Sequence, residues 1–373
     1  MKLYLIAGEA SGDLHGSNLL KALNSRQPGL VCRAWGGDLM AAAGATLAKH
    51  YRDLAFMGFV EVLRNIRTIL GNIAFCKKDI LEFKPDALVL IDYPGFNLRI
   101  AKWAKKQGIT VIYYISPQIW AWHTSRVHDI QRDVDLMLVI LPFERAFYQK
   151  YGVDAVYVGH PLLDAIQHFA VHDQPNVAFP PNTIAVLPGS RVQEVKNMLP
   201  KMLSVASNFP DYQFVVAGTK NLTRAFYTPF LADYPNVQFI QGHTYELLQH
   251  ATAALVKSGT STLEAALFDV PQVVCYAGNP VSYHIAKRLI RVKYISLVNL
   301  IADKPLVREL IQEDLDRDNL IIALRQILEP GNVASLKAAY AALRQLLGEG
   351  GASKRTAEAI LQHIWTQQER QRH

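Results

Sequence analysis

Four short stretches place reactive side chains just after strand-like runs. The first is Val89-Leu90-Ile91-Asp92-Tyr93-Pro94-Gly95-Phe96-Asn97, an apolar run that ends in a carboxylate. A carboxylate there, beside apolar side chains, can serve as a general base; the alternative is an Asp that caps the Pro-Gly turn. The second is TIAVLPGSRVQEVK, residues 183–196: a β-branched strand, a Pro188-Gly189-Ser190 turn and a helical pattern from Arg191. Such a junction offers backbone N–H groups and the positive end of a helix dipole to an anion. Ser190 adds a hydroxyl and Arg191 a planar cationic fork, so the stretch reads as a phosphate grip for a nucleotide-type ligand, or else as an ordinary βα turn with a surface Arg. The third, KSGTSTLE at 257–264, repeats the geometry. Ser258, Thr260 and the free N–H groups are its phosphate-side candidates, and Glu264, one turn into the helix, suits a pair of ribose hydroxyls. The fourth is the first turn, Gly8-Glu9-Ala10-Ser11-Gly12-Asp13, where Glu9, Ser11 and Asp13 bring oxygens. Asp13 reads equally as a helix cap.

Two further loops carry aromatic and imidazole groups. Ser116-Pro117-Gln118-Ile119-Trp120-Ala121-Trp122 sets Trp120 and Trp122 where they line a sugar or acyl site, or pack on each other. In Gly159-His160-Pro161, His160 reaches a cleft or fixes its loop by hydrogen bonds.

The elements that must hold these groups alternate along the chain. Strand-like runs at 2–7, 87–91, 110–115, 136–140 and 155–158 are separated by helical patterns, the first at about 13–25. A polar stretch with Gln174-Pro175 and Pro180-Pro181 reads as a linker. Strands then return at 183–187, 213–217, 237–240, 253–256 and 272–276, and the chain ends in helices from about Asp316, including 338–347 and 355–365. Such βαβ repetition predicts mostly parallel sheets covered by helices. The fold expected is α/β: two doubly wound domains facing a cleft, with C-terminal helices. Ligands of such sheets bind outside the carboxyl ends of the strands.

With 373 residues, 50% hydrophobic and 19% charged, the chain has enough apolar surface for two cores. Cys32, Cys76 and Cys275 are far apart in apolar settings, which predicts buried free thiols and argues against a disulfide framework or a zinc site. The first thirteen residues run from strand to turn and do not read as a signal peptide, and no apolar run approaches the roughly 20 residues of a membrane span. The formal net charge of +7 favours anionic partners. GxxxxGK[ST], GxGxxG and HExxH are absent, which excludes a P-loop, weakens a dinucleotide-dependent oxidoreductase and gives no metal motif.

Residues 56–75, FMGFVEVLRNIRTILGNIAF, form the least ordinary helical pattern. Phe59, Val62, Leu63, Ile66, Ile69, Leu70 and Ile73 recur at helical spacing, with Arg64, Arg67, Lys77 and Lys78 among or after them. The pattern describes either a long core helix or a basic, apolar surface that meets lipid.

Taken together the motifs resemble the lipid-A-disaccharide synthase family of glycosyltransferases. The resemblance rests on GEASGD, MGFVEVL, IDYPGFN, SPQIWAW, LPFE, GHP, LPGSR, SGTSTLE, AKRLI and YISLVNLIA, in one order from residue 8 to 302. It implies the GT-B architecture: a 1–170 acceptor and lipid domain, a 171–345 UDP-sugar domain, and 346–373 as a C-terminal helix returning to the first domain. The implied reaction joins UDP-2,3-diacylglucosamine to 2,3-diacylglucosamine 1-phosphate, giving a β-1,6-linked disaccharide and UDP. By resemblance the family's essential Asp and Arg fall on Asp92 and Arg191. Donor contacts are expected from Gly189, Ser190, Arg191, Ser258, Gly259, Thr260, Thr262, Glu264 and Asn299. Lys287 is a weaker carry-over. The acceptor side is expected at Glu9, Ser11, Asp13, Trp120, Trp122, Glu144 and His160, and the lipid side at Phe59, Leu63, Ile66 and Leu70. The departures, Tyr93 and Gln118, look like variable positions. No cofactor, metal or nucleic acid is implied; the implied partners are the two sugar lipids and the cytoplasmic face of the inner membrane, with a homodimer left open. Two other classes remain at this point. A UDP-sugar epimerase, such as a UDP-N-acetylglucosamine 2-epimerase, would share the fold without a lipid surface. A basic binding module for nucleic acid or membrane would leave the placement of Asp92 and Arg191 unexplained.

Overall fold

The computed structural model describes residues 1–54, 66–122, 124–172, 177–219, 221–278 and 292–372. The chain divides into two compact units, Met1–Asp164 with Glu349–His373, and Ala165–Gly348. In the first unit the described strands are β1 (Lys2–Ala7), β2 (Val31–Gly36), β3 (Thr46–His50), β4 (Ala87–Ile91), β5 (Thr110–Tyr114), β6 (Leu136–Val139) and β7 (Ala155–Tyr157). They pair in parallel in the order β3-β2-β1-β4-β5-β6-β7. In the second unit β8 (Thr183–Leu187), β9 (Gln213–Gly218), β10 (Val237–Gln241), β11 (Ala253–Lys257), β12 (Gln272–Tyr276) and β13 (Arg308–Ile311) form a parallel sheet in the order β10-β9-β8-β11-β12-β13. Parallel neighbours need crossover connections, and helices supply them. Both orders reverse direction once, between β1 and β4 and between β8 and β11, and these switch points are where ligands of open sheets bind.

The central strands are apolar along their whole length because both faces are covered. In β1, Leu3, Leu5 and Ala7 pack on one side with Leu19, Leu20 and Leu23, while Tyr4 and Ile6 pack on the other with Ile73, Cys76 and Ile80. The final helix, Ala352–Arg372, lies in the first unit, where Ala357, Ile360, Leu361 and Ile364 join the first of these cores. Asp164 fixes its start by accepting from the N–H groups of Gly351, Ala352 (3.2 Å) and Ser353 (3.1 Å). Arg355 then donates to the carbonyl of Val158 at 2.9 Å.

Cys32, Cys76 and Cys275 are buried free thiols, and burial pushes Cys32 up to about 12. The helix expected over 56–75 is described only from its second half, as Ile66–Phe83; Phe59, Leu63 and the side chain of Ile66 lie outside the described residues. Its Ile73, Cys76 and Ile80 are core, whereas Leu70 and Leu81 are 56% and 48% exposed. A buried network ties it to the sheet: Arg33 grips Asp79 through two 2.7 Å bonds, and the hydroxyl of Tyr4 donates to the same carboxylate at 2.6 Å. Gln174 and Pro175 of the expected linker are also outside the described residues.

Candidate active site

In the first unit the turn after β4 is strained. Asp92 and Tyr93 both adopt left-handed backbone, with φ of 46° and 51°. For non-glycine residues such conformations cost about 1–3 kcal/mol each and persist only where neighbours over-determine them. Here the carbonyl of Asp92 accepts from Tyr113 Oη at 2.6 Å and Asn97 Nδ2 at 2.7 Å. Its N–H continues the sheet to the carbonyl of Tyr114 at 3.1 Å. The backbone of Asp92 is thus clamped while its side chain ends a buried strand. Burial pushes its carboxyl up to about 6, the negative charge of Glu9 adds to the shift, and a hydrogen bond from the Tyr93 backbone opposes it. Glu9 stands at the turn after β1, across the switch point. A Cβ on Gly8 would lie 2.3 Å from the Tyr93 ring, so glycine is required for the two turns to pack together.

Several residues expected on the acceptor side are structural braces. The first helix starts at Ala10, three residues before the expected point, so Ser11 and Asp13 lie within it and Ser11 is exposed. Asp13 is buried and caps a different helix, Asp38–Ala42: Oδ1 accepts from Gly37 N (2.7 Å) and Met40 N (3.0 Å), Oδ2 from Leu39 N (3.1 Å). Glu144 is buried in a capping box, accepting from Leu141 N at 2.9 Å, Ile140 N at 3.2 Å and Trp120 Nε1 at 3.1 Å. Burial pushes its carboxyl up to about 7 against those hydrogen bonds. Trp120 is buried edge-on against Phe143, so it stiffens the loop; the side chain of Trp122 lies outside the described residues. His160 is buried, and Nδ1 accepts from Leu162 N at 3.2 Å, which places its remaining ring proton on Nε2. Burial and then His15 push it down to about 3, so the ring is neutral. Gly159 makes room for Arg355, whose Nη2 would be 2.2 Å from an added Cβ.

In the second unit the turns after β8 and β11 leave adjacent strands, since Leu187 lies opposite Val256. Gly189 has φ of 111°, and Arg191 is the N-cap of the helix Val192–Leu203. The N–H groups expected to be open to a phosphate are already used: Glu194 Oε2 accepts from Ser190 N at 3.0 Å and Arg191 N at 3.4 Å. The carboxylate lies over Gly189, where a Cβ would be 2.6 Å from it. Glu194 Oε1 accepts from Lys257 Nζ at 2.9 Å. Burial works to raise the Glu194 carboxyl, but the Lys257 bond and charge, the Ser190 N–H and Arg191 together hold it below the usual range.

Other donor-side candidates divide in the same way. Ser258 Oγ donates to the Ile295 carbonyl at 2.8 Å, and buried Thr262 donates to the Gly259 carbonyl at 2.8 Å. Thr260 and Gly259 are exposed at the start of the helix Thr260–Leu267. Glu264 Oε1 accepts from Tyr245 Oη at 3.2 Å, and burial raises its carboxyl despite the Tyr245 and Ser261 bonds. Asn299 is buried, with Nδ2 donating to the Val307 carbonyl (2.8 Å) and Glu309 Oε1 (2.9 Å) and Oδ1 accepting from Val307 N (2.9 Å). These bonds brace a loop and use both N–H donors of the amide. Lys287 lies outside the described residues. Tyr113, Asn97, Glu194 and Lys257 received no role from the motifs; the last three were visible inside them as polar residues flanking a strand end. Among the described residues no group of His, Cys, Asp and Glu is arranged to hold a metal, and no helix is long and apolar enough to cross a membrane.

Two parallel α/β units with turns of this kind at their switch points define the fold of GT-B glycosyltransferases and their relatives. The UDP-GlcNAc 2-epimerase of Neisseria meningitidis, solved bound to UDP-GlcNAc, superposes with a TM-score of 0.67 at 14% identity, covering 97% of this chain and 100% of that one. The glycotransferase of kitacinnamycin superposes equally, 0.67 at 16% identity over 97% and 99%. At those identities the likeness speaks for the fold alone. The sequence goes further: the family described as Lipid-A-disaccharide synthetase matches residues 3–363. The lipid-A-disaccharide synthase of Syntrophus aciditrophicus (strain SB) is 41% identical over 368 residues, covering 96% of each chain, and that of Coxiella burnetii (strain CbuK_Q154) is 38% identical over 365, covering 95% and 96%. The chain belongs to the lipid-A-disaccharide synthase family of glycosyltransferases.

Proposed function

We propose that the chain joins a UDP-2,3-diacylglucosamine donor to 2,3-diacylglucosamine 1-phosphate with inversion, releasing UDP and the β-1,6-linked disaccharide 1-phosphate. The observation that carries the assignment of roles is Asp92: a clamped, strand-end carboxylate with its pKa raised to about 6 by burial and then by Glu9. At neutral pH it is ionised, yet basic enough to take the proton of the acceptor 6-hydroxyl as that oxygen attacks C1 of the donor. The bond from C1 to the UDP oxygen breaks in the same step, and the charge that develops on UDP is met by Arg191 and by the helix start after β11. Glu264 is assigned to the donor ribose. The test is an assay with both substrates, with product mass as readout and with and without EDTA. Condensed product of the expected mass, formed in chelator, supports the reading; conversion of the donor, without acceptor, to a UDP-sugar isomer of unchanged mass would replace it with a UDP-sugar epimerase.

Both substrates carry acyl chains, so the same reading includes peripheral attachment to the cytoplasmic face of the inner membrane. Leu70 and Leu81 are eleven residues apart, about three helical turns, and share an exposed face with Lys77 and Lys78 between them in sequence. A large apolar side chain that enters lipid gains about 1.5–3 kcal/mol, and each basic neighbour adds about 1 kcal/mol at an anionic surface. Attachment on this scale is reversible and salt-sensitive.

A further inference from the structure

The ion pair between Lys257 and Glu194 has no part in the roles assigned above. Lys257 is the last residue of β11, at the switch point between β8 and β11. Side chains alternate along a strand. Ala254 and Val256 join the core with Leu247 and Leu248, while Ala253 and Leu255 join the one with Val195 and Met198. Lys257 continues the second set and rises beside the first turn of Val192–Leu203, where Glu194 meets it at 2.9 Å.

Both side chains are largely removed from water, with 21% and 22% of their surface exposed. A buried pair of this kind contributes little to stability compared with apolar residues of the same size. A brace between two turns therefore does not by itself account for an ammonium here. Glu194 is anchored by the N–H groups of Ser190 and Arg191 as well as by the lysine, so the carboxylate end of the pair is fixed. An ammonium has three N–H donors, and this contact uses one. Lys257 therefore adds a second cation to the turn that already presents Arg191, at the end of the sheet where ligands of this fold bind.

We propose that Lys257 is a further donor-binding residue: held in place by Glu194, it directs its ammonium to the diphosphate of the nucleotide-sugar and supplies part of the positive charge that the leaving UDP requires. The proposal rests on the donor-site reading given above. Its test is UDP binding by calorimetry, with uridine, which lacks phosphate, followed by ligand-observed NMR. Lys257→Met should weaken UDP about ten- to a hundred-fold, the loss of one charge-assisted hydrogen bond, and leave uridine binding unchanged. Lys257→Arg should recover part of the loss. Lys257→Gln, which keeps an N–H donor for Glu194, repeats the comparison with the pair's hydrogen bond retained. Unchanged UDP affinity in the Met and Gln variants overturns the proposal. So does an equal loss for UDP and uridine, because the lysine would then only hold the turns in shape. A parent protein that binds neither ligand would overturn the donor-site reading itself, and this proposal with it.

Discussion

The turn after β4 and the turn after β8 are built alike, each a buried parallel strand that runs into a helix, yet they shift the pKa values of their carboxylates in opposite directions. Asp92 faces burial and the like charge of Glu9, and its pKa rises to about 6. Glu194 is also partly buried, but Lys257, the Ser190 N–H and Arg191 outweigh that burial, and its pKa falls. The backbone differs too. The first turn keeps two non-glycine residues in left-handed conformation, pinned through the Asp92 carbonyl; the second places Gly189 at that kind of position and lets a carboxylate lie over it. The strand–turn–helix unit therefore sets only position. Whether the pKa of a carboxylate there rises or falls depends on whether its burial is reinforced by a like charge or outweighed by hydrogen bonds and cations.

The sharpest way to break this contrast is to remove the ionisable oxygen from the first turn. Asp92→Asn keeps the size of the side chain and leaves the clamped carbonyl in place. It should lower kcat by at least about 10²-fold, the lower end of what general base catalysis supplies, while UDP-sugar affinity stays near the parent value. A fully active Asp92→Asn enzyme would end the assignment. Glu144 and Asp13 would not inherit the role easily, since each already accepts three hydrogen bonds from protein N–H groups.

On the second turn the matching change is Arg191→Ala. Its partner is charged in the ground state and more so in the transition state, so both KM for the donor and kcat should suffer, with kcat falling about 10²–10³-fold. Arg191→Lys should restore only part, because an ammonium lacks the planar fork. Full activity in the lysine variant, measured as steady-state kcat/KM, would show that a point charge is enough. That outcome would make the second turn simpler than the first.

How far these turns could be read in advance follows from where their partners lie in the chain. Strands covered on both faces, such as Ala87–Ile91 and Thr183–Leu187, are unbroken apolar runs, and their bounds coincide with the expected ones. Val31–Gly36, Thr46–His50 and Arg308–Ile311 give weak strand signals because Arg33, Lys49, His50 and Glu309 interrupt the apolar pattern; β3 and β13 are edge strands. The first helix begins before its sequence pattern suggests because Ser11 and Gly12 look like turn residues, and its N-cap Glu9 makes no side-chain cap bond. Asp92 and Arg191 were legible, since a strand end and a turn are local signals. The commitments of Asp13 to 37–40, of Asn299 to Val307 and Glu309, and of Glu194 to Lys257 were not, because each is a hydrogen bond across distant sequence that spacing does not encode.

The smallest expected effect tests the origin of the contrast directly. If Asp92 must be ionised to accept a proton, kcat should fall as pH drops through about 6, approaching a tenfold loss for each further unit. Burial is the larger cause of that raised pKa and Glu9 the smaller. Glu9→Gln removes only the like charge, so the carboxylate of Asp92 becomes easier to ionise and the acid limb of the kcat profile should move to lower pH. Burial stays, so the limb should remain above the range of an ordinary exposed Asp, near 3.9. The measurement is kcat against pH for parent and variant at saturating substrates, which separates a shift of the limb from any change in binding. A limb that does not move would mean that burial alone tunes Asp92. A limb that moves upward would reverse the sign of the interaction and remove Glu9 from the account of why the two turns differ.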